Sequence, residues 1–220
     1  MSTEAILDAV KDSIVNFDIA GVKGKVQKAL KLGLQPVEII EKGIGRGMLD
    51  VGQRYESGEF FLPELMSAAA TTKSAMEGLE PILRRPEGKA TLLGTVVIGT
   101  VEGDLHDIGK NIAVALLMGA GFDVNDLGMD VPAERFVQEA GARNAKIVAM
   151  SALLTTTIQN MGKVTAALKG AGLATGVKVL LGGHHVTREF SEQIGADAYA
   201  NDAVTGVKLA KRLAGPKHST

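Results

Sequence analysis

Thr95-Val-Val-Ile-Gly-Thr-Val-Glu102-Gly-Asp104-Leu-His106-Asp-Ile-Gly109-Lys-Asn111 passes from a β-branched apolar run through a polar loop into a helix-forming stretch, Asn111-Ile-Ala-Val-Ala-Leu-Leu. Strand, short loop, helix is the repeating unit of an open α/β sheet. In such sheets functional groups gather in the loops at the carboxyl ends of the strands. A histidine there, two residues after a carboxylate, has the makings of a metal ligand with an acid to orient and tune it.

Outward from this stretch the pattern repeats. Buried-strand runs occur at Leu93–Thr100, Phe122–Leu127, Lys146–Met150, Val177–Leu181 and Ala196–Ala200. Helical stretches lie near Ile108–Gly119, Pro132–Ala142, Thr156–Lys169, Thr187–Ile194 and Ala203–Leu213. The alternation predicts a flavodoxin-like, doubly wound domain over 90–214, with a five-stranded parallel sheet in the order 2-1-3-4-5. The switch point then falls between the first and third strands, whose ends carry Asp104/His106 and Ser151. The tail from Pro216 reads as frayed.

Upstream the period is helical only. Ile6, Val10, Ile14 and Phe17 form one stripe; Val22, Val26, Ala29 and Leu30 form a second. A third helix starts near Pro36, a favourable first-turn residue, and carries Val37, Ile40, Ile44, Met48, Val51 and Tyr55. A fourth, after Ser57-Gly58, carries Leu65, Ala69, Thr72, Met76, Leu79 and Leu83. These predict a four-helix bundle over 1–87, with Arg84–Lys89 as the polar linker: an α+β, two-domain chain.

Composition narrows the function classes. With 24 basic against 25 acidic residues among 220, neither nucleic acid nor an anionic membrane is the expected partner. Cysteine is absent, which excludes disulfides, thiolate metal sites and cysteine nucleophiles. No secretory signal and no apolar stretch of bilayer-spanning length is visible, so the expected location is cytoplasmic. No Gly-x-Gly-x-x-Gly follows the first strand, which argues against a dinucleotide domain. The acidic pair, Asp and Lys of a phosphorylatable receiver are not in place either.

Asp104-x-His106-x-x-Gly109 resembles the cobalamin-binding motif of corrinoid proteins from methylamine, methanol and methoxy-aromatic methyltransferase systems, and of the cobalamin module of methionine synthase. Two further elements fit the resemblance in order: Ser151-Ala-Leu153-Leu-Thr155-Thr-Thr157 after the third strand, and Gly182-Gly183 after the fourth. In that family these line a channel for the cofactor's nucleotide tail; glycine lets the backbone approach a bulky ligand. Gly58-Glu-Phe60-Phe61-Leu62-Pro-Glu64 resembles the element of the helical cap that covers the upper face of the corrin.

The resemblance implies that His106 binds cobalt through Nε2 as the metal ligand, with Asp104 behind it and a hydroxyl beyond, which here falls on Thr157. Implied cofactor contacts are Asp104, His106, Asp107, Ile108, Gly109, Ser151, Leu153, Thr155, Gly182 and Gly183, with Phe61 and Leu62 in the cap and Phe60 and Met66 nearby. Asp107 also suits the positive end of the helix that follows. His184 and His185 lack a third ligand, and as neighbours on an extended stretch they should point apart.

The implied function is methyl carriage on cobalamin or a related corrinoid. A substrate:corrinoid methyltransferase loads Co(I), and a second methyltransferase moves the group from methyl-Co(III) to a thiol or tetrahydropterin. A reductive activator protein is the third implied partner; the chain is not expected to be catalytic alone. A cobalamin-dependent sensor would carry a DNA-binding domain before the bundle and a tryptophan in the cap. The small subunit of an adenosylcobalamin mutase would need no helical cap.

Overall fold

The computed structural model describes residues 2–83 and 92–215; the linker at Arg84–Lys89 and the tail from Pro216 lie outside them. The described residues up to Leu92, together with Ala115–Phe122, form one compact unit. Leu93–Val114 and the described residues from Asp123 onward form the other.

The first unit is helical. Helix α1 (Thr3–Val15) is capped by Ser2, whose hydroxyl accepts from Ala5 N–H, and α2 (Ile19–Lys31) by Asp18, which accepts from Gly21 N–H. The third segment is continuous but mixed: α3 (Pro36–Glu38), a π-helical stretch π1 (Ile39–Ile44) and α4 (Gly45–Glu56). The fourth is α5 (Leu62–Leu83). Ile6, Val10, Ile14, Val22, Val26, Ile40, Ile44 and Leu79 are buried to 1% exposure or less, as their spacing predicts.

Two details depart from simple periodicity. Phe17 does not extend the stripe of α1: the helix ends at Val15, and Phe17 stands in the left-handed region at φ 60°. The π-helical turn adds a residue to the repeat, so Ile39 and Gly43 are buried as well as Ile40 and Ile44. Glycine makes this crossing possible, since a Cβ on Gly47 would stand 2.7 Å from Ile14 Cβ and one on Gly43 3.0 Å from Val10 Cγ1.

The second unit is the doubly wound sheet. In chain order it comprises β1 (Thr95–Thr100), α6 (Ile108–Gly119), β2 (Asp123–Asp126), α7 (Ala133–Ala142), β3 (Ile147–Ser151), α8 (Gln159–Gly170), β4 (Lys178–Gly182), α9 (Arg188–Ile194), β5 (Ala198–Ala200) and α10 (Ala203–Ala214). The residues of α6 from Ala115 on belong to the helical unit. All strand pairs are parallel and the order is β2-β1-β3-β4-β5, as the sequence predicts. The central strands are covered on both faces and therefore read as continuous apolar runs. Register aligns Thr100, Ser151, Gly182 and Ala200 in one row along the carboxyl edge.

One face of the sheet buries Val97, Val148, Met150 and Leu181 with Phe136 and Ala140 of α7 and Met161, Val164 and Leu168 of α8. Phe136 lies against bare backbone: a Cβ on Gly99 would come within 2.9 Å of its Cζ. Because the ring is fully buried, Phe136→Ala should cost about 3–5 kcal/mol. Urea unfolding checks this; a loss below about 1 kcal/mol would show that the sheet does not depend on this contact.

Candidate cofactor site

The loop between β1 and α6 starts where Thr100 leaves the sheet and Val101 bridges to Val131. Gly103 takes φ +79°, which glycine adopts without penalty, and turns the chain so that Asp104 points inward. Asp104 is completely buried. An isolated carboxylate in that position would be expelled or protonated; this one is surrounded by donors.

Oδ1 of Asp104 accepts from His106 N–H at 3.0 Å and from His106 Nδ1 at 2.8 Å. Oδ2 accepts from Thr157 Oγ1 at 2.6 Å, Leu153 N–H at 2.8 Å and Leu154 N–H at 3.2 Å. Burial alone would raise the carboxyl pKa, but the bonds from Thr157, Leu153 and His106 outweigh it and hold Asp104 well below the ordinary carboxylate range. Asp104 is thus a fixed anion joining the loops after β1 and β3, the two strands at the switch point.

This fixes the chemistry of His106. A carboxylate only accepts, so Nδ1 must carry the proton it shares with Asp104. In the neutral ring Nε2 then holds the lone pair. Nε2 has no hydrogen-bond partner among the described residues, and the side chain is 49% exposed. His106, Asp104 and Thr157 are bonded in series. The hydroxyl of Thr157 also lies 3.0 Å from Leu154 O, but its one proton goes to the nearer, charged acceptor.

Among the described residues no three His, Asp or Glu side chains gather to hold a metal ion. A single imidazole suits a metal that arrives in its own ligand frame. The surroundings fit a large, partly apolar one: Leu105, Ile108, Leu153 and Leu154 flank the histidine in sequence or through Asp104, and all four are exposed. Among the described residues a Cβ on Gly109 would have no neighbour within 4 Å, and one on Gly182 would meet only carbonyl oxygens at 3.9 Å. Neither glycine is demanded by the chain's own packing, and both leave space open at the carboxyl edge. Gly183 differs, because at φ +142° a Cβ would run into the carbonyl oxygen of Ala152.

Of the other residues singled out from sequence, Ser151 is half-buried beside Gly182 in the edge row, and Thr155 is exposed in the turn before α8. That helix starts at Gln159 rather than Thr156, because residues 153–157 are bent around the Asp104 carboxylate. Asp107 accepts from Asn111 Nδ2 at 2.9 Å in the first turn of α6. His184 and His185 do not point apart. The chain turns at Gly183, and their rings meet edge to face with centroids 4.9 Å apart.

Phe61, Leu62 and Met66 belong to the helical unit and are 66%, 46% and 42% exposed. Phe60 behaves differently from its neighbour. Its ring sits 5.6 Å from that of Phe17, with the Arg54 guanidinium 5.2 Å from its centroid. Phe60 anchors the segment in the bundle, and Phe61 is left outside.

A family model described as a B12 binding domain matches residues 94–208, and a second, also described as a B12 binding domain, matches 6–80. The chain belongs to the B12-binding corrinoid proteins. "Trimethylamine corrinoid protein 2" of Methanosarcina acetivorans is 45% identical over 210 residues, covering 94% of this chain and 97% of its own. "Dimethylamine corrinoid protein" of Methanosarcina barkeri is 44% identical, covering 97% and 99%. Among solved structures, the methanol:cobalamin methyltransferase complex of M. barkeri matches with a TM-score of 0.81 at 30% identity, over 96% of this chain and 81% of that one. The cofactor of the family is cobalamin or a related corrinoid. No helix among the described residues is long and apolar enough to cross a membrane.

The backbone amides of Leu153 and Leu154, the side chain of Asn160 on Glu102 O at 2.7 Å, and the Lys110–Asp126 ion pair at 2.7 Å all support the loop but have no motif of their own. Asp104→Asn replaces an all-acceptor group with one that must aim an NH2 at existing donors, which should destabilise by about 1–3 kcal/mol at neutral pH. A depressed carboxyl pKa adds stability that is fully present above the ordinary value of about 4 and is lost as pH falls toward the folded-state value. The gap between wild type and Asp104→Asn should therefore narrow below about pH 4. Paired urea titrations at pH 7 and pH 3 measure it; a constant gap would show that Asp104 is not held ionised by the fold.

Proposed function

We propose that this chain is the corrinoid-bearing methyl carrier of a methyltransferase system. It would take a methyl group from a substrate-specific corrinoid methyltransferase and deliver it to a second methyltransferase with a thiol or tetrahydropterin acceptor. A reductive activator protein would restore the cofactor after accidental oxidation. The observation that carries the reading is the His106–Asp104–Thr157 series, which ends in a histidine nitrogen with no protein partner among the described residues.

The bound corrinoid would supply a cobalt centre able to accept and release the methyl group. The protein's part is to hold and tune it. Nε2 of His106 would be the cobalt ligand; Asp104 keeps the proton on Nδ1 and fixes the ring plane, and Thr157 completes the donor set of Asp104. Asp107, Ile108, Gly109, Ser151, Leu153, Thr155, Gly182 and Gly183 are the proposed cofactor contacts on the sheet unit, and Phe61 and Leu62 those on the helical unit. Relatives named for different amines match almost equally, at 45% and 44% identity. That supports a division of labour in which the partner enzyme selects the methyl donor and this scaffold serves it.

Reconstitution with methylcobalamin tests the ligand. Wild type should retain the corrinoid and show a base-off, histidine-on absorbance spectrum; His106→Ala should lose the histidine-on band. Failure of wild type to retain any corrinoid, or an unchanged band in the variant, would overturn the assignment.

Gly182→Val tests the channel separately. The fold offers room at that position, so the melting temperature should stay within a few degrees, while corrinoid affinity falls about tenfold or more, equivalent to about 1.4 kcal/mol. Unchanged affinity would remove Gly182 from the cofactor contacts.

A further inference from the structure

The segment joining β1 to α6 has no regular structure, yet its backbone is tied down almost peptide by peptide. Val101 N–H donates to Ser151 O at 3.0 Å, and His106 O accepts from Thr100 Oγ1 at 3.0 Å. The residue that contributes most to this is Asp130, in the turn after β2. Its carboxylate accepts from Gly103 N–H at 2.7 Å, and its own N–H donates to Asp104 O at 3.1 Å. One residue therefore brackets Asp104, gripping the peptide chain just before it and just after it.

Two features mark this as a built arrangement. Asp130 adopts φ +53°, a region that non-glycine residues seldom occupy and that aspartate and asparagine tolerate best. The turn that carries it is itself anchored. Asp126, at the end of β2, accepts from Gly128 N–H at 3.0 Å and from Lys110 Nζ at 2.7 and 2.8 Å. Lys110 is 2% exposed and lies in the first turn of α6. The β2 turn thus holds both ends of the loop that carries His106.

We propose that Asp130 is a positioning residue for the cobalt ligand: it fixes the backbone of Asp104, and through Asp104 the direction in which His106 presents Nε2. Asp130 is exposed, and among the described residues no hydrogen bond joins it to the imidazole or to the Asp104 carboxylate, so it acts through the turn. This rests on the reading of His106 as the cobalt ligand.

Three proteins test it: wild type, Asp130→Asn and Asp130→Gly. Asparagine keeps an acceptor for Gly103 N–H and tolerates the left-handed backbone. Glycine keeps the backbone and removes the acceptor. Without cofactor, amide hydrogen exchange at Gly103 should be near wild type in Asp130→Asn and accelerate about tenfold in Asp130→Gly, as for loss of about 1.4 kcal/mol of protection. With methylcobalamin bound, the ratio of histidine-on to histidine-off absorbance should be preserved in Asp130→Asn and fall by about 10-fold or more in Asp130→Gly, the usual size of an outer-shell effect on metal ligation. Unchanged Gly103 exchange in Asp130→Gly overturns the proposal. So does a histidine-on ratio equal to that of a histidine-on wild type, and in that case the cobalt-ligand reading stands. A wild type that binds corrinoid without a histidine-on band overturns the ligand reading itself, and the proposal with it.

Discussion

Everything at the carboxyl edge of the sheet depends on one buried anion. Asp104 accepts five hydrogen bonds within 3.2 Å from two segments about fifty residues apart in sequence. A carboxylate buried in this way is stable only if fully satisfied, and satisfying it forces the loops after β1 and β3 together. That in turn bends residues 153–157 ahead of α8 and leaves His106 with one nitrogen engaged and the other without a hydrogen-bond partner among the described residues. The flavodoxin-like order makes this possible by placing β1 and β3 side by side.

The scaffold was legible because its signals are collective. Apolar buried runs at β1, β3 and β4, separated by helical periods, left little room for another sheet order, and each strand lies within a few residues of its predicted place, although β2 is only half-buried. Isolated departures were not legible. Phe17 continues the helical stripe in sequence, but the left-handed turn sends its ring to Phe60 instead. Nothing in the pattern of Ile39 to Ile44 announces a π-helical turn, which arises where Gly43 and Gly47 let α1 approach closely. His184 and His185 pair edge to face because a backbone turn at Gly183 cancels the alternation of an extended strand.

The candidate site divides along the same line. Asp104, His106 and Thr157 could be singled out because side chains carry the pattern that a motif records. The amides of Leu153 and Leu154 also hold Asp104, but an amide belongs to every residue except proline and leaves no trace in composition or spacing. Asp130 falls between these cases. Its side chain could be seen, but its role depends on a backbone conformation that sequence marks only weakly.

Thr157 shows how closely this polar arrangement is joined to packing. A β-branched residue is stiffer about χ1 than serine. In the fold that stiffness favours the arrangement. The hydroxyl bonds Asp104 at 2.6 Å, and the methyl lies on the side of Gly103, where an added Cβ would stand 3.6 Å from it. Rotating the hydroxyl away would leave Asp104 Oδ2 with only its two amide donors. Serine could make the same hydrogen bond, but its χ1 turns away from it more freely. Threonine thus gives a charge-assisted hydrogen bond a stiff χ1, and it holds the far end of the series still while the near end, His106, keeps a nitrogen with no hydrogen-bond partner among the described residues.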